Sequence, residues 1–263
     1  YLKSQGLYLA RALSFAGVEY EFLEHKLTTE QISVYDNYAG AWAIIHKNLE
    51  AALEATRIVD EDSGDTLNRN AKAAALSIFE GTKQRFFAQL LLSMKLPSLL
   101  PAIEQALEEG HSAVVQLVST AEAMLNRRLA DLSAEEREQL DIDLSPREYV
   151  IDYLAKSFPV RLMQVFLDDD GNLRSEPMST SEGHPVLCPR AVQARDAMIE
   201  KLCALPPIWA ALDAVIERFG TDHVAEVTGR TRRLVNGSDG RQRLERRTAR
   251  SNLIEAQSFM DGE

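Results

Sequence analysis

Apolar residues recur at helical spacing through Tyr35, Tyr38, Trp42, Ile45 and Leu49. They predict a long helix from about residue 28 to Ile58 with one buried face. Thr28 or Thr29 can cap it, and Gln31 three residues after Thr28 completes a capping box. A second long helix is expected through Ala75, Ile78, Phe79, Phe86, Leu90 and Met94, with Pro97 and Pro101 breaking it into a further helix that ends at Gly110. Shorter helices are expected over 5–16, 121–132, from Ser145, over 189–204, over 207–219 with Pro207 in the first turn, and from Asn252. The acidic run 60–65 reads as a solvated loop and 133–144 as a polar excursion.

Strand signals are fewer. Val18 to Leu23 alternates apolar and charged residues, the pattern of a half-buried strand. Ser112 to Val118 is almost wholly apolar and β-branched, as in a buried parallel strand. Ser119, Thr120 and a helix follow it, which makes an α/β unit. Val160–Leu167 has strand character, and Asp168-Asp169-Asp170-Gly171-Asn172 makes a tight turn before an irregular hairpin or loop over 172–188. His223–Val227 is a short strand candidate. Asn236-Gly237-Ser238-Asp239-Gly240 is a strong hairpin signal inside an arginine-rich stretch from Gly229 to Arg250. Together these predict a helix-rich α/β fold.

Composition narrows the function. The chain has 263 residues, 45% hydrophobic and 26% charged, an ordinary globular balance that allows one large domain or two small ones. A formal charge of −11 means that nucleic acid could be met only by a local basic patch. Cys188 and Cys203 are too few for a disulfide scaffold and fit a reducing compartment. No apolar run approaches the roughly 20 residues of a membrane span, and there is no secretory signal. Tyr1 begins inside a helical pattern and Glu263 ends without a tail, so the chain reads as an internal piece of a longer protein.

The candidate chemistry is sparse. There is no G-x-x-x-x-G-K-[ST] or G-x-G-x-x-G loop and no D-E-x-x box. Counting back from Gly171 puts Phe166 where a calcium loop needs its first acid, so Asp168–Asp170 is an acidic turn. His184, Cys188 and Cys203 fall short of a structural zinc set. No G-x-S-x-G elbow marks a serine nucleophile. Phe15, Tyr20, Phe22, Tyr35, Tyr38 and Trp42 would stack bases only if exposed, and their spacing fits core faces. The best local signal is the cluster Arg230, Arg232, Arg233, Arg241, Arg243, Arg246, Arg247 and Arg250, which meets only Asp239 and Glu245 within its own stretch. Such a cluster can hold phosphates, or it can be a hairpin paired against an acidic neighbour.

Three stretches resemble the strawberry notch family of superfamily 2 helicase-like proteins. Gln84-Arg85-Phe86-Phe87 matches a Q-R-F-F helix. It is followed by a strand ending in Val118-Ser119-Thr120-Ala121-Glu122-Ala123, where the family has Q-S-T-G-E-A. Val224 to Arg230 is close to V-A-E-M-T-G-R, and Phe259 to Glu263 is close to F-M-D-G-[DE]. Val118 and Ala121 depart from the family pattern.

The resemblance implies two RecA-like lobes (P-loop NTPase type) with ATP and Mg bound between them in the parent protein. Residues 1–27 would be the tail of the first lobe, 28–110 a helical linking region, 111–132 the start of the second lobe, 133–204 an insertion and 205–263 the second lobe's continuation. The implied fold is a partial RecA-like parallel sheet with a large helical linker and an inserted segment. The implied function is part of an ATP-dependent nucleic-acid helicase or translocase, not ATPase-competent alone. The other reading is a stand-alone binding module for nucleic acid or protein. Nucleic acid, with DNA expected, and the missing lobe segments would be the partners. A bacterial or phage-infected cytoplasm, with a phage or plasmid source, would be the setting. No membrane, metal or catalytic residue is expected in these residues. Ser119, Thr120, Thr228, Gly229, Arg230, Arg241, Arg243, Arg246 and Arg247 are the candidate nucleic-acid contacts, the first five because α/β sheets present ligand loops at strand ends.

Overall fold

The computed structural model describes residues 14, 16–117, 120, 122–133, 142, 145–205, 208–236 and 241–262. It contains α1 (Thr29–Ala55), α2 (Arg69–Met94), α3 (Leu96–Glu108), α4 (Glu122–Asp131), α5 (Arg147–Ser157), β1 (Met163–Leu167), β2 (Leu173–Pro177), α6 (Pro189–Cys203), α7 (Ala211–Phe219), β3 (Arg232–Asn236), β4 (Gln242–Arg246) and α8 (Ala249–Asp261).

The capping box forms as expected. Gln31 N–H donates to Thr28 Oγ1 at 3.2 Å, and Thr28 N–H donates to Gln31 Oε1 at 3.0 Å. Gln31 also donates Nε2–H to the Met94 carbonyl at 2.8 Å, which satisfies an acceptor left open at the end of α2. One side chain thus starts α1 and fastens it to α2.

The main core is built from α1, α2, α5 and α6. Tyr38, Trp42, Ile45 and Leu49 of α1 meet Phe79, Phe86 and Leu90 of α2, Val150, Tyr153 and Leu154 of α5, and Met198 and Leu202 of α6. The rings interlock, with Tyr38 and Phe86 centroids 4.9 Å apart and Trp42 and Phe79 centroids 5.4 Å apart. The helices assigned by resemblance to a linking region and to an insertion therefore share one core. The hairpin β1–β2, paired from Met163↔Pro177 to Leu167↔Leu173, is stitched to this body. Met163 N–H donates to Thr56 O at 2.9 Å, and Asn68 Nδ2–H donates to Ser175 O at 2.8 Å. Two smaller cores follow. One joins Leu96 of α3 to Ala211 and Val215 of α7, and the other joins Leu125 and Leu129 of α4 to Ile142, Leu234 and Leu244. No single described helix is long and apolar enough to cross a membrane.

The expected parallel sheet is absent among the described residues. Both sheets are two-stranded and antiparallel. Residues 18–23 and 111–117 carry no regular element, and Tyr20, Phe22 and Val114 are 79%, 85% and 83% exposed. A strand exists only as part of a pair, because its N–H and C=O groups need a ladder. No described segment supplies that ladder to either stretch. Tyr20 and Phe22, read as core residues, instead pack edge-to-face on each other in the open, with centroids 5.1 Å apart. His223–Val227, read as a strand, is a loop whose Glu226 is buried. The helix expected over 5–16 falls almost wholly outside the described residues, as do Phe15, Pro207 and the turn 237–240.

Candidate nucleic-acid interface

The arginine-rich stretch folds as the β3–β4 hairpin, in the register Arg232↔Arg246, Arg233↔Glu245, Leu234↔Leu244, Val235↔Arg243 and Asn236↔Gln242. Alternation puts Leu234 and Leu244 on the face that packs on α4, and sends Arg233, Arg243 and Glu245 to the other face. Arg241, Arg243, Arg246 and Arg250 are exposed, and Arg232 is half-buried.

The root of the hairpin is a buried ionic knot centred on Glu226. Arg230 reaches both Glu226 oxygens, Nε to Oε1 and Nη2 to Oε2, each at 2.8 Å, and its Nη1 donates to Asp213 of α7 at 2.7 Å. Arg233 lies 3.5 Å from Glu226 and 2.7 Å from Glu245. Arg247 Nε lies 3.7 Å from Glu226, and its Nη2 donates to the Glu226 backbone carbonyl. Arg247 also pairs with Glu255 of α8. The side chains of Glu226, Arg230 and Arg247 are each 1% exposed. Arg230 and Arg247, expected to offer their charge to phosphates, thus spend it on carboxylates. A buried cation is retained only beside its counter-charge.

These surroundings set the acidities. Burial pushes the Glu226 carboxyl up, but hydrogen bonds from Arg230 and Thr228 and the charges of Arg230 and Arg247 outweigh that and hold it below its ordinary value. At Asp213 the balance reverses, and burial raises its pKa despite the Arg230 charge. Burial alone would weaken the Arg230 and Arg233 cations. Glu226 and Asp213 around Arg230, and Glu245 beside Arg233, leave both more basic than an ordinary arginine.

The other candidate positions lie around this knot. Thr228 donates its hydroxyl to Glu226 at 2.6 Å and accepts the Arg230 N–H at 3.2 Å. Gly229 is exposed, with open space around its Cα. Ser119 falls outside the described residues, and Thr120 is half-buried just ahead of α4. Glu122, the first residue of α4, accepts both the N–H and the hydroxyl of Thr231, at 2.7 and 3.0 Å. The fold therefore brings the start of α4 against the Thr228–Arg230 turn. Asp213, Glu226 and Glu255 were missed because they lie outside the arginine-rich stretch. The one signal for them was the surplus of acids in a chain of charge −11.

A family described as the C-terminal domain on Strawberry notch homologue matches residues 210–263, and one described as P-loop containing NTP hydrolase pore-1 matches residues 1–37. Protein FORGETTER 1 of Arabidopsis thaliana is 26% identical over 175 residues, covering 66% of this chain and 12% of that protein. Protein strawberry notch homolog 1 of Rattus norvegicus is 23% identical across 100% of this chain and 25% of its own length. Protein strawberry notch of Drosophila melanogaster is 26% identical over 68% of this chain and 10% of its own length. The chain thus spans a quarter or less of the length of these relatives. No solved structure matches. The chain is thus similar, at low identity, to the strawberry notch proteins, with residues 210–263 similar to their C-terminal domain and residues 1–37 similar to a P-loop NTP hydrolase family.

Proposed function

We propose that this chain is part of an ATP-driven nucleic-acid translocase of strawberry notch type, and that the β3–β4 hairpin is its phosphate-contacting element. The observation that carries this reading is the division of labour among the arginines. Arg230, Arg233 and Arg247 are buried in the ionic knot, whereas Arg241, Arg243 and Arg246 are exposed on the hairpin. Exposed arginines of this density can meet phosphates through charge and bidentate hydrogen bonds. Thr120 and the Thr228–Gly229 turn, brought near each other by the Glu122–Thr231 contact, are the neighbouring positions for backbone contacts. ATP and Mg would be bound by motifs that these 263 residues do not contain. Unaided, the chain would bind without hydrolysing ATP.

The test is binding of fluorescent single-stranded and duplex DNA across a salt series. The Arg241→Ala/Arg243→Ala/Arg246→Ala variant should weaken binding and lower the slope of log affinity against log salt by about 2 to 3. An unchanged slope in a folded variant would refute the assignment.

A further inference from the structure

Residues 19–27 carry no regular element, and no backbone hydrogen bond joins them to another described residue. Every described residue from Ala16 to Glu30 is exposed except His25, which is half-buried. Its ring reaches two helices at once. Nε2 lies 2.9 Å from Gln31 Oε1 in the first turn of α1, and Nδ1 lies 2.7 Å from Ser98 Oγ in the first turn of α3. The partners fix the hydrogens. Gln31 Oε1 accepts the Thr28 N–H, and Gln31 Nε2–H donates to the Met94 carbonyl, so the amide is oriented and a donor must face its oxygen. His25 Nε2 therefore carries a hydrogen, and in the neutral ring Nδ1 accepts the Ser98 hydroxyl.

We propose that residues 19–27 form a detachable strap and that the His25 imidazole is its latch on α1 and α3. A segment held by one side chain opens as a unit when that hold is lost, because nothing else along it resists. Opening leaves α1 intact, since Thr28 and Gln31 keep their reciprocal bonds. The strap lies in the region similar to a P-loop NTP hydrolase family. Ser98 lies on α3, which packs Leu96 on Ala211 and Val215 of α7 and pairs Glu104 with Arg218, inside the region similar to the strawberry notch C-terminal domain. Closing the latch ties the first region to the second through α3, and opening it lets them move apart. The device is independent of the DNA-binding reading.

Trypsin reads the latch directly. Lys26 is exposed beside His25, and the Lys26–Leu27 bond enters the protease only when its flanking residues are free to extend, so native-state cleavage tracks the opened population. The 263-residue chain would be digested under native conditions and the products timed by mass spectrometry. His25→Ala removes both bonds and should speed cleavage at Lys26 on the order of tenfold, the worth of about one net hydrogen bond. Ser98→Ala leaves the cleaved sequence untouched, removes the Nδ1 bond alone, and should speed it on the order of threefold. Cleavage at other sites and the Tm should stay as in the parent chain. Unchanged cleavage at Lys26 in both variants would overturn the latch. Equal acceleration at every site would show a loosened fold instead of a released strap, and would overturn it too. If His25→Ala does not fold, Ser98→Ala decides alone.

Discussion

Glu226→Gln is the sharpest probe of the ionic knot, because it keeps the shape of the side chain and removes its charge. Glu226 accepts two 2.8 Å bonds from Arg230 and one of 2.6 Å from Thr228, and lies within 3.5 to 3.7 Å of Arg233 and Arg247. Breaking a buried ion pair from one side costs roughly 3–5 kcal/mol when the remaining charge is stranded. Here no arginine is stranded. Arg230 keeps Asp213, Arg233 keeps Glu245 and Arg247 keeps Glu255. The expected cost is therefore about 2–3 kcal/mol, mainly the charge-assisted bonds to Arg230. For a chain of this size that is a fall in Tm of roughly 4–12 °C. Urea unfolding gives the free energy, and hydrogen exchange localises it. The amides of β3, β4 and α8 should lose protection while those of α1 and α2 keep theirs. A cost below about 0.5 kcal/mol would show that the knot does not hold the hairpin and would refute this account.

Acid should act on the same site with a defined sign. The Glu226 pKa is lower folded than its ordinary 4.5, so its ionisation stabilises the fold above that value, and the benefit disappears as pH falls through the folded pKa. Asp213, raised by burial, acts in the opposite sense, so Glu226→Gln should flatten the acid limb of the stability curve whereas Asp213→Asn should steepen it. Tyr153 has a buried hydroxyl without a hydrogen-bond partner among the described residues, and burial raises its pKa, so Tyr153→Phe should be neutral or slightly stabilising; a loss above about 1 kcal/mol in urea would reveal a bond to that hydroxyl. Thr28→Ala should cost about 1 kcal/mol by the same assay, with faster exchange in the first turn of α1, because it removes one half of the capping box.

Local signals in the sequence carried the helices well. Thr28 and Gln31 announced the start of α1, and the spacing of Tyr38, Trp42, Ile45 and Leu49 named its buried face before any partner was known. Asp168-Asp169-Asp170-Gly171-Asn172 marked the turn between β1 and β2, where Asp168 accepts the Asn172 N–H at 2.8 Å. What failed depended on partners distant in the chain. Val114 and Val115 have the composition of a sheet interior, but composition does not supply a neighbouring strand. The arginines looked unbalanced because only Asp239 and Glu245 fell within the stretch. Three of their acids come instead from α7, the following loop and α8, brought in by the fold from both sides of that stretch.

The four-helix core has a consequence for how the chain is made. Its first two helices end at Met94, but the α6 residues that cover them, Met198 and Leu202, emerge from the ribosome more than a hundred residues later. At typical synthesis rates that is a delay of roughly 5–20 s. During it Tyr38, Trp42, Phe79 and Phe86 have each other but lack half of their final cover. An apolar helix pair left waiting that long is a natural client for a chaperone and a natural site of misassembly. A translational pause placed between α2 and α6 should lower the yield of soluble protein more than the same pause placed after α8.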